Sequence, residues 1–256
     1  MLKTPYKIAF FDIDGTLIDM KRGYITEKVK KTLRHLQDSG VRLCLATGRG
    51  PMILPDFGGV KLDAVISFNG SYCYVGDKII RKTPLPSADV AKIVQNAAAL
   101  GRPIAVATSR VMETNGIDAD LEEYISFSSS EPVIAGDFSK LLQQDIYQIM
   151  AGSSASEHSR LIAGTAGCKI AAWWDRAVDI IPSEGGKGVA VQEVLRYFQL
   201  EAEDAIAFGD GENDIDMLQA AGLGVAMGNA SDRVKEMADE VCGSVEEDGI
   251  AMYFSL

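Results

Sequence analysis

Residues 6–19 read YKIAFFDIDGTLID, and the rest of the chain is organised around them. An apolar run, Ile8 to Phe11, leads directly into Asp12 and Asp14, with Gly15 and Thr16 behind them. A short run rich in aromatic and branched side chains suits a strand covered on both faces, as in a parallel sheet. In open α/β sheets ligands gather beyond the carboxyl ends of the strands, so both carboxylates fall where chemistry is normally placed. Alternation along an extended backbone points Asp12 and Asp14 the same way. Two neighbouring carboxylates repel unless a proton or a cation intervenes, and a hard divalent ion is the economical choice. Carboxylates can also simply solvate a strand end, and Asp-Gly is an ordinary turn signal. The decision rests on the remaining chain.

Outward from this stretch the pattern repeats. Thr26 to Ser39 places Val29, Leu33 and Leu36 at helical spacing, with Thr26 as N-cap and Gly40 as the stop. VRLCLATGR then runs as a strand into Thr47, Gly48 and Arg49, a βαβ unit with a right-handed crossover that brings Thr47 near Asp12. DAVISFNG, residues 63–70, is a third strand ending in small and polar residues. Arg49 and Asn69, at strand ends, would either reach into the cleft or lie on the surface. AIAFGDGENDIDML, residues 205–218, again ends a strand in carboxylates, with Asp210 first and Asn213 and Asp214 behind it. GVAMGN, residues 224–229, and a helix over 231–238 complete the series.

Between these parts lies a segment of different character. KTPLPS, residues 82–87, stiffens a connection with two prolines, and a second join falls near Pro182. The intervening stretch is expected to hold helices over 88–100, 119–127 and 155–163 and strands over 103–108, 145–151 and 168–174. Trp173 and Trp174 are expected to pack, on opposite faces of the last strand. Two domains are therefore expected: 1–82 with 183–256, and an inserted α/β domain, 83–182. In VDIIPSEGGKG, residues 178–188, paired glycines lead into a helix over 189–198, with Lys187 at its N-terminal end. Free N–H groups and the helix dipole favour an anion there, and a lysine reinforces it.

Composition narrows the function classes. The formal net charge of −11 supplies no basic stripe and argues against a nucleic-acid surface. It also means that any phosphate site must bring its own cations. No apolar stretch approaches the roughly 18 residues of a membrane span, and MLKTPYK lacks a signal peptide's apolar region, so the cytoplasm is the expected compartment. Cys44, Cys73, Cys168 and Cys242 form no CxxC and read as small buried hydrophobes. Neither histidine stands by an obvious nucleophile, which leaves a Ser-His-Asp mechanism without support.

DIDGT at 12–16, ATGR at 46–49, GGKG at 185–188 and GDGEND at 209–214 together resemble, in order and separation, the four motifs of the haloacid dehalogenase-like (HAD) phosphatase superfamily. An insertion between the second and third motifs, and GVAMGNA at 224–230, resemble its Cof-like subgroup with an α/β cap of C2 type. The resemblance implies a Rossmann-like parallel-sheet core and a phosphatase acting on a small phosphorylated metabolite, a sugar phosphate by family, through an aspartyl-phosphate. It implies that Asp12 is the nucleophile and Asp14 the acid and base. Mg2+ would sit among Asp12, the Asp14 carbonyl, Asp210 and, through water, Asp214. Phosphate would be bound by Thr47, Gly48, Arg49, Lys187 and Asn213, with Asn213 orienting Lys187 or the phosphate. Phosphate transfer to a second hydroxyl, or storage on Asp12 as in a receiver module, are the alternatives. Oligomeric state stays open.

Overall fold

The computed structural model describes residues 5–128, 130–172 and 174–254. It divides into two compact units, residues 5–47, 55–81 and 186–254 forming one, and 48–54 with 82–185 the other.

The first unit opens with β1 (Ile8–Phe11), α1 (Glu27–Asp38), β2 (Arg42–Ala46), β3 (Ala64–Ser67), β4 (Tyr72–Val75) and β5 (Lys78–Lys82). The apolar run of β1 is buried along its whole length because both faces are covered. The Thr26 hydroxyl accepts the N–H of Val29 at 3.2 Å, capping α1, whose buried stripe is Val29, Thr32, Leu33 and Leu36.

The second unit contains α2 (Ser87–Leu100), β6 (Ile104–Ala107), β7 (Met112–Thr114), α3 (Ala119–Ser126), α4 (Phe138–Leu141), β8 (Gln148–Gly152), α5 (His158–Leu161), β9 (Cys168–Ala171) and β10 (Ala177–Pro182). Its sheet runs β7-β6-β8-β10-β9, antiparallel at every pair. Val90 and Ile93 of α2, Leu141 and Leu161 pack with Ile104, Val106, Ile149, Val178 and Ile180 into a core of its own. Residues 177–182, expected as a lead-in to the third motif, form an interior strand of this sheet. β7 and α4 went unforeseen because three or four residues are too few to display a period. The expected strand over 168–174 stops at Ala171, so alternation does not govern Trp174; Trp173 lies outside the described residues. Trp174 stacks on Tyr124 (6.0 Å), meets Phe127 edge-on (5.0 Å) and lies under the Arg176 guanidinium (4.4 Å). Residues 48–54 group with this unit, where the sequence division had kept them with the first. Arg49 donates to the carbonyls of Ile53 and Phe127 at 3.2 and 3.3 Å.

The chain returns to the first unit with α6 (Lys187–Phe198), β11 (Ala205–Gly209), α7 (Ile215–Ala220), β12 (Leu223–Ala226), α8 (Asp232–Glu236), β13 (Glu240–Val241) and α9 (Gly249–Tyr253). The completed sheet has the order β13-β12-β11-β1-β2-β3-β4-β5, parallel from β13 through β3, with β4 antiparallel to β3. Ile8, Phe10, Ala46, Ile66 and Ala207 pack against Val191 and Val194 of α6 and Met217 and Leu218 of α7. Toward α9, Phe11 and Phe208 stack at 5.3 Å, and Tyr253 meets Phe208 edge-on. The fold is therefore the expected α/β parallel sheet with a helical layer on either side. Among the described residues no helix is long and apolar enough to cross a membrane.

Candidate active site

Register places the motifs. Phe11 of β1 pairs with Phe208 of β11 on one side and Leu45 of β2 on the other, so all three strands end together. Asp12, Thr47 and Asp210 consequently leave one carboxyl-end rim of the sheet. The N–H of Asp12 donates to the Phe208 carbonyl at 3.0 Å, extending the ladder one residue into the site. Gly15 then turns with φ 88°, and a Cβ there would collide with the Asp210 carboxylate.

Lys187, the first residue of α6, is fully buried. Its ammonium donates to Asp12 Oδ1 at 2.7 Å and Asp214 Oδ1 at 2.5 Å. The other Asp214 oxygen accepts the N–H groups of Asp210 at 3.1 Å and Gly211 at 2.9 Å. Asp214 thus clamps the loop after β11 and fixes the lysine, the task the sequence reading offered to Asn213. Asn213 instead donates to Asn69 Oδ1 at 3.0 Å. Asn69 is buried, and its own N–H donates to the Thr47 carbonyl at 3.0 Å. The surface alternative for Asn69 is therefore set aside.

Asp12, Asp210 and Asp214 each offer an oxygen within 4.8 Å of the others. Asp14 is half-buried and its carboxylate lies outside this trio. Burial pushes the Asp12 carboxyl up to about 7; the charges of Asp214 and Asp14 add to this and Lys187 opposes it. Asp210 is likewise held well above its usual range by burial and by the charges of Asp12 and Asp214. Burial works against the Lys187 charge, but the Asp12 and Asp214 carboxylates outweigh it and hold the ammonium above its usual range. Three carboxyl groups face one ammonium, so when all three are ionised the negative charge of the cluster exceeds the positive. The donors are all oxygen, without His or Cys, which fits a hard divalent cation over zinc or copper. Such an arrangement can hold a cation beside a buried carboxylate and present that carboxylate to an electrophile.

Gly48 and Arg49 belong to the second unit, in which Arg49 donates to the backbone carbonyls above. Thr16 was missed as a site residue. Its hydroxyl donates to Asp210 Oδ1 at 2.9 Å, and only the pairing of β1 with β11 reveals so distant a partner.

Residues 9–254 match the haloacid dehalogenase-like hydrolase family. The chain is 31% identical over 248 residues to the putative phosphatase YkrA of Bacillus subtilis, covering 96% of this chain and 95% of that one. It is 29% identical to the 5-amino-6-(5-phospho-D-ribitylamino)uracil phosphatase YitU of the same organism, covering 98% of each. Among solved structures, the HAD subclass IIB sugar phosphatase BT4131 superposes with a TM-score of 0.89 at 27% identity, covering 96% of this chain and 97% of that one. With one residue from each of the four motifs, Asp12, Thr47, Lys187 and Asp210, at the carboxyl end of the first unit's sheet and a matching family over nearly its whole length, this chain belongs to the haloacid dehalogenase-like hydrolases and is a phosphatase of that superfamily.

Proposed function

We propose that the chain hydrolyses a small phosphorylated metabolite, a sugar phosphate by class, in a magnesium-dependent reaction through a phosphoryl group carried on Asp12. The observation that carries this reading is the buried Lys187 bridging Asp12 and Asp214 beside Asp210, three carboxyl groups around one ammonium. Asp12, Asp210 and Asp214, with the Asp14 backbone carbonyl, would hold the ion, which when bound supplies positive charge to the phosphoryl oxygens.

Phosphoryl transfer asks the protein mainly for positioning and charge stabilisation. Asp12 attacks phosphorus, an Asp12 O–P bond forms, and the bond to the substrate's alcohol oxygen breaks. Asp14 protonates that oxygen as it leaves. Asp14 then takes a proton from water, the water oxygen bonds to phosphorus, and the Asp12 O–P bond breaks to release phosphate. Lys187 keeps one Asp12 oxygen occupied, so that the carboxylate keeps a single aim. Thr47, following β2 on the same rim, supplies a hydroxyl for a phosphoryl oxygen, while Gly48, Arg49 and Asn213 are further candidates for binding the substrate. The inserted unit, as a cap, would select the substrate and exclude water.

The decisive test is Asp12→Asn, assayed with an aryl phosphate and magnesium. Turnover should vanish while the circular dichroism spectrum stays native, and substantial residual turnover would remove Asp12 from the role. Supplying sugar acceptors and looking for phosphorylated product distinguishes transfer from hydrolysis.

A further inference from the structure

GVAMGN, the strand-and-turn that the four motifs left without a task, ends in Asn229, and this side chain joins three parts of the first unit. Its Nδ2 donates to the Gly15 carbonyl at 2.8 Å and to Asp210 Oδ2 at 3.3 Å. Its Oδ1 accepts the Val245 N–H at 2.9 Å. A carbonyl on one side and an N–H on the other leave a single orientation for the amide. The position follows from the sheet: β12 pairs with β11, and Met227 N–H continues that ladder to the Gly209 carbonyl at 2.9 Å, so the turn beyond runs beside Asp210. Thr16 holds the opposite Asp210 oxygen at 2.9 Å. The carboxylate is thus gripped from both sides, by a hydroxyl and by an amide.

We propose that Asn229 is a positioning residue: it aims the Asp210 carboxylate, pins the Gly15 turn against it, and through Val245 makes cation affinity depend on the seating of the C-terminal segment. This rests on the metal-dependent reading above and assigns a role to a residue outside its four motifs. The C-terminal segment is itself anchored. The Arg22 guanidinium donates to the Glu246 carbonyl at 2.6 Å, and the Thr26 hydroxyl to Asp248 at 2.8 Å. Loss of a group that orients a metal ligand typically costs about 10- to 100-fold in metal affinity.

The test is calorimetric titration of the full chain with magnesium, alongside melting of the metal-free protein. Asn229→Ala should weaken magnesium binding by about 10- to 100-fold. Val245→Pro deletes the N–H that meets Asn229 and exchanges the buried valine side chain for the proline ring. Val245 opens a short 3-10 turn, where proline is accepted, and Ser244 before it is already extended at φ −73° and ψ 162°. This variant, its fold checked by circular dichroism, should weaken magnesium binding in the same direction by a smaller factor. Because it leaves Asn229 in place, it tests the proposal even if Asn229→Ala does not fold. Unchanged affinity in either folded variant, including a lower melting temperature alone, overturns the proposal. Wild-type protein that takes up no magnesium overturns the underlying reading, and the proposal with it.

Discussion

Lys187 illustrates how far a residue's meaning depends on its neighbours. As a lysine beside paired glycines it announces an anion site; in the structure its ammonium is spent on two of the protein's own carboxylates, Asp12 and Asp214. Removing one partner from a buried charge cluster costs about 3–5 kcal/mol, because the remaining charges stay uncompensated. Lys187→Met, close to lysine in volume, should therefore lower stability by about 3 kcal/mol at neutral pH. The deficit should shrink as pH falls, since Asp12, whose carboxyl burial raises to about 7, can then take up a proton instead of staying charged. Urea unfolding across pH checks this, and a deficit that does not vary with pH would contradict the assigned cause.

Among the elements, two turns separate local from tertiary determination. The Thr26 cap of α1 is written in adjacent residues and was read from them. Thr26→Ala, which loses the cap and the hydroxyl's bond to Asp248 together, should cost about 1–2 kcal/mol in thermal or urea unfolding. The turn after β3 is different. Phe68, Asn69 and Gly70 all adopt positive φ, at 51°, 51° and 92°. Left-handed backbone costs a non-glycine residue about 1–2 kcal/mol, so surrounding contacts must hold it. Those contacts are Asn69 N–H to Thr47, Asn213 to Asn69, and Arg81 Nε to the Gly70 carbonyl at 3.0 Å. A Cβ on Gly70 would also strike the Gly186 carbonyl, immediately before Lys187. Gly70→Ala should accordingly destabilise by more than Thr26→Ala, about 2–4 kcal/mol from strain and overpacking together. A smaller effect than the cap mutation would show that the turn relaxes freely.

For the molecule as a whole, the enclosed acidic cluster couples stability, pH and cation binding. Without metal, the Asp12 carboxyl is raised from 3.8 to about 7 by burial. A carboxyl raised on folding contributes stability that is present in full below its unfolded value and is lost as pH rises through the folded value. The metal-free protein should therefore lose this contribution between about pH 4 and pH 7. Cation binding requires the ionised form, so magnesium should release protons near pH 6.5, raise the melting temperature and regain part of the loss. Calorimetry in buffers of different ionisation enthalpy checks the proton release; heats independent of the buffer would contradict it. Much was legible beforehand: β1, β2, β3 and β11 are apolar runs buried on both faces and ending in polar residues, which identified the parallel sheet and nominated Asp12, Thr47 and Asp210. Lys187 was nominated too, by the paired glycines and the helix start around it, and Asp214 by its place behind Asp210 in a motif that resembles the family's. Periodicity and capping are local, and they determined those elements without reference to the fold. Pairing at a sequence separation of 194, as between Thr16 and Asp210, or 214, as between Gly15 and Asn229, has no local signal. Only the tertiary structure decided which donor grips which carboxylate, because those bonds exist once strand register has brought β1, β11 and β12 to a common edge.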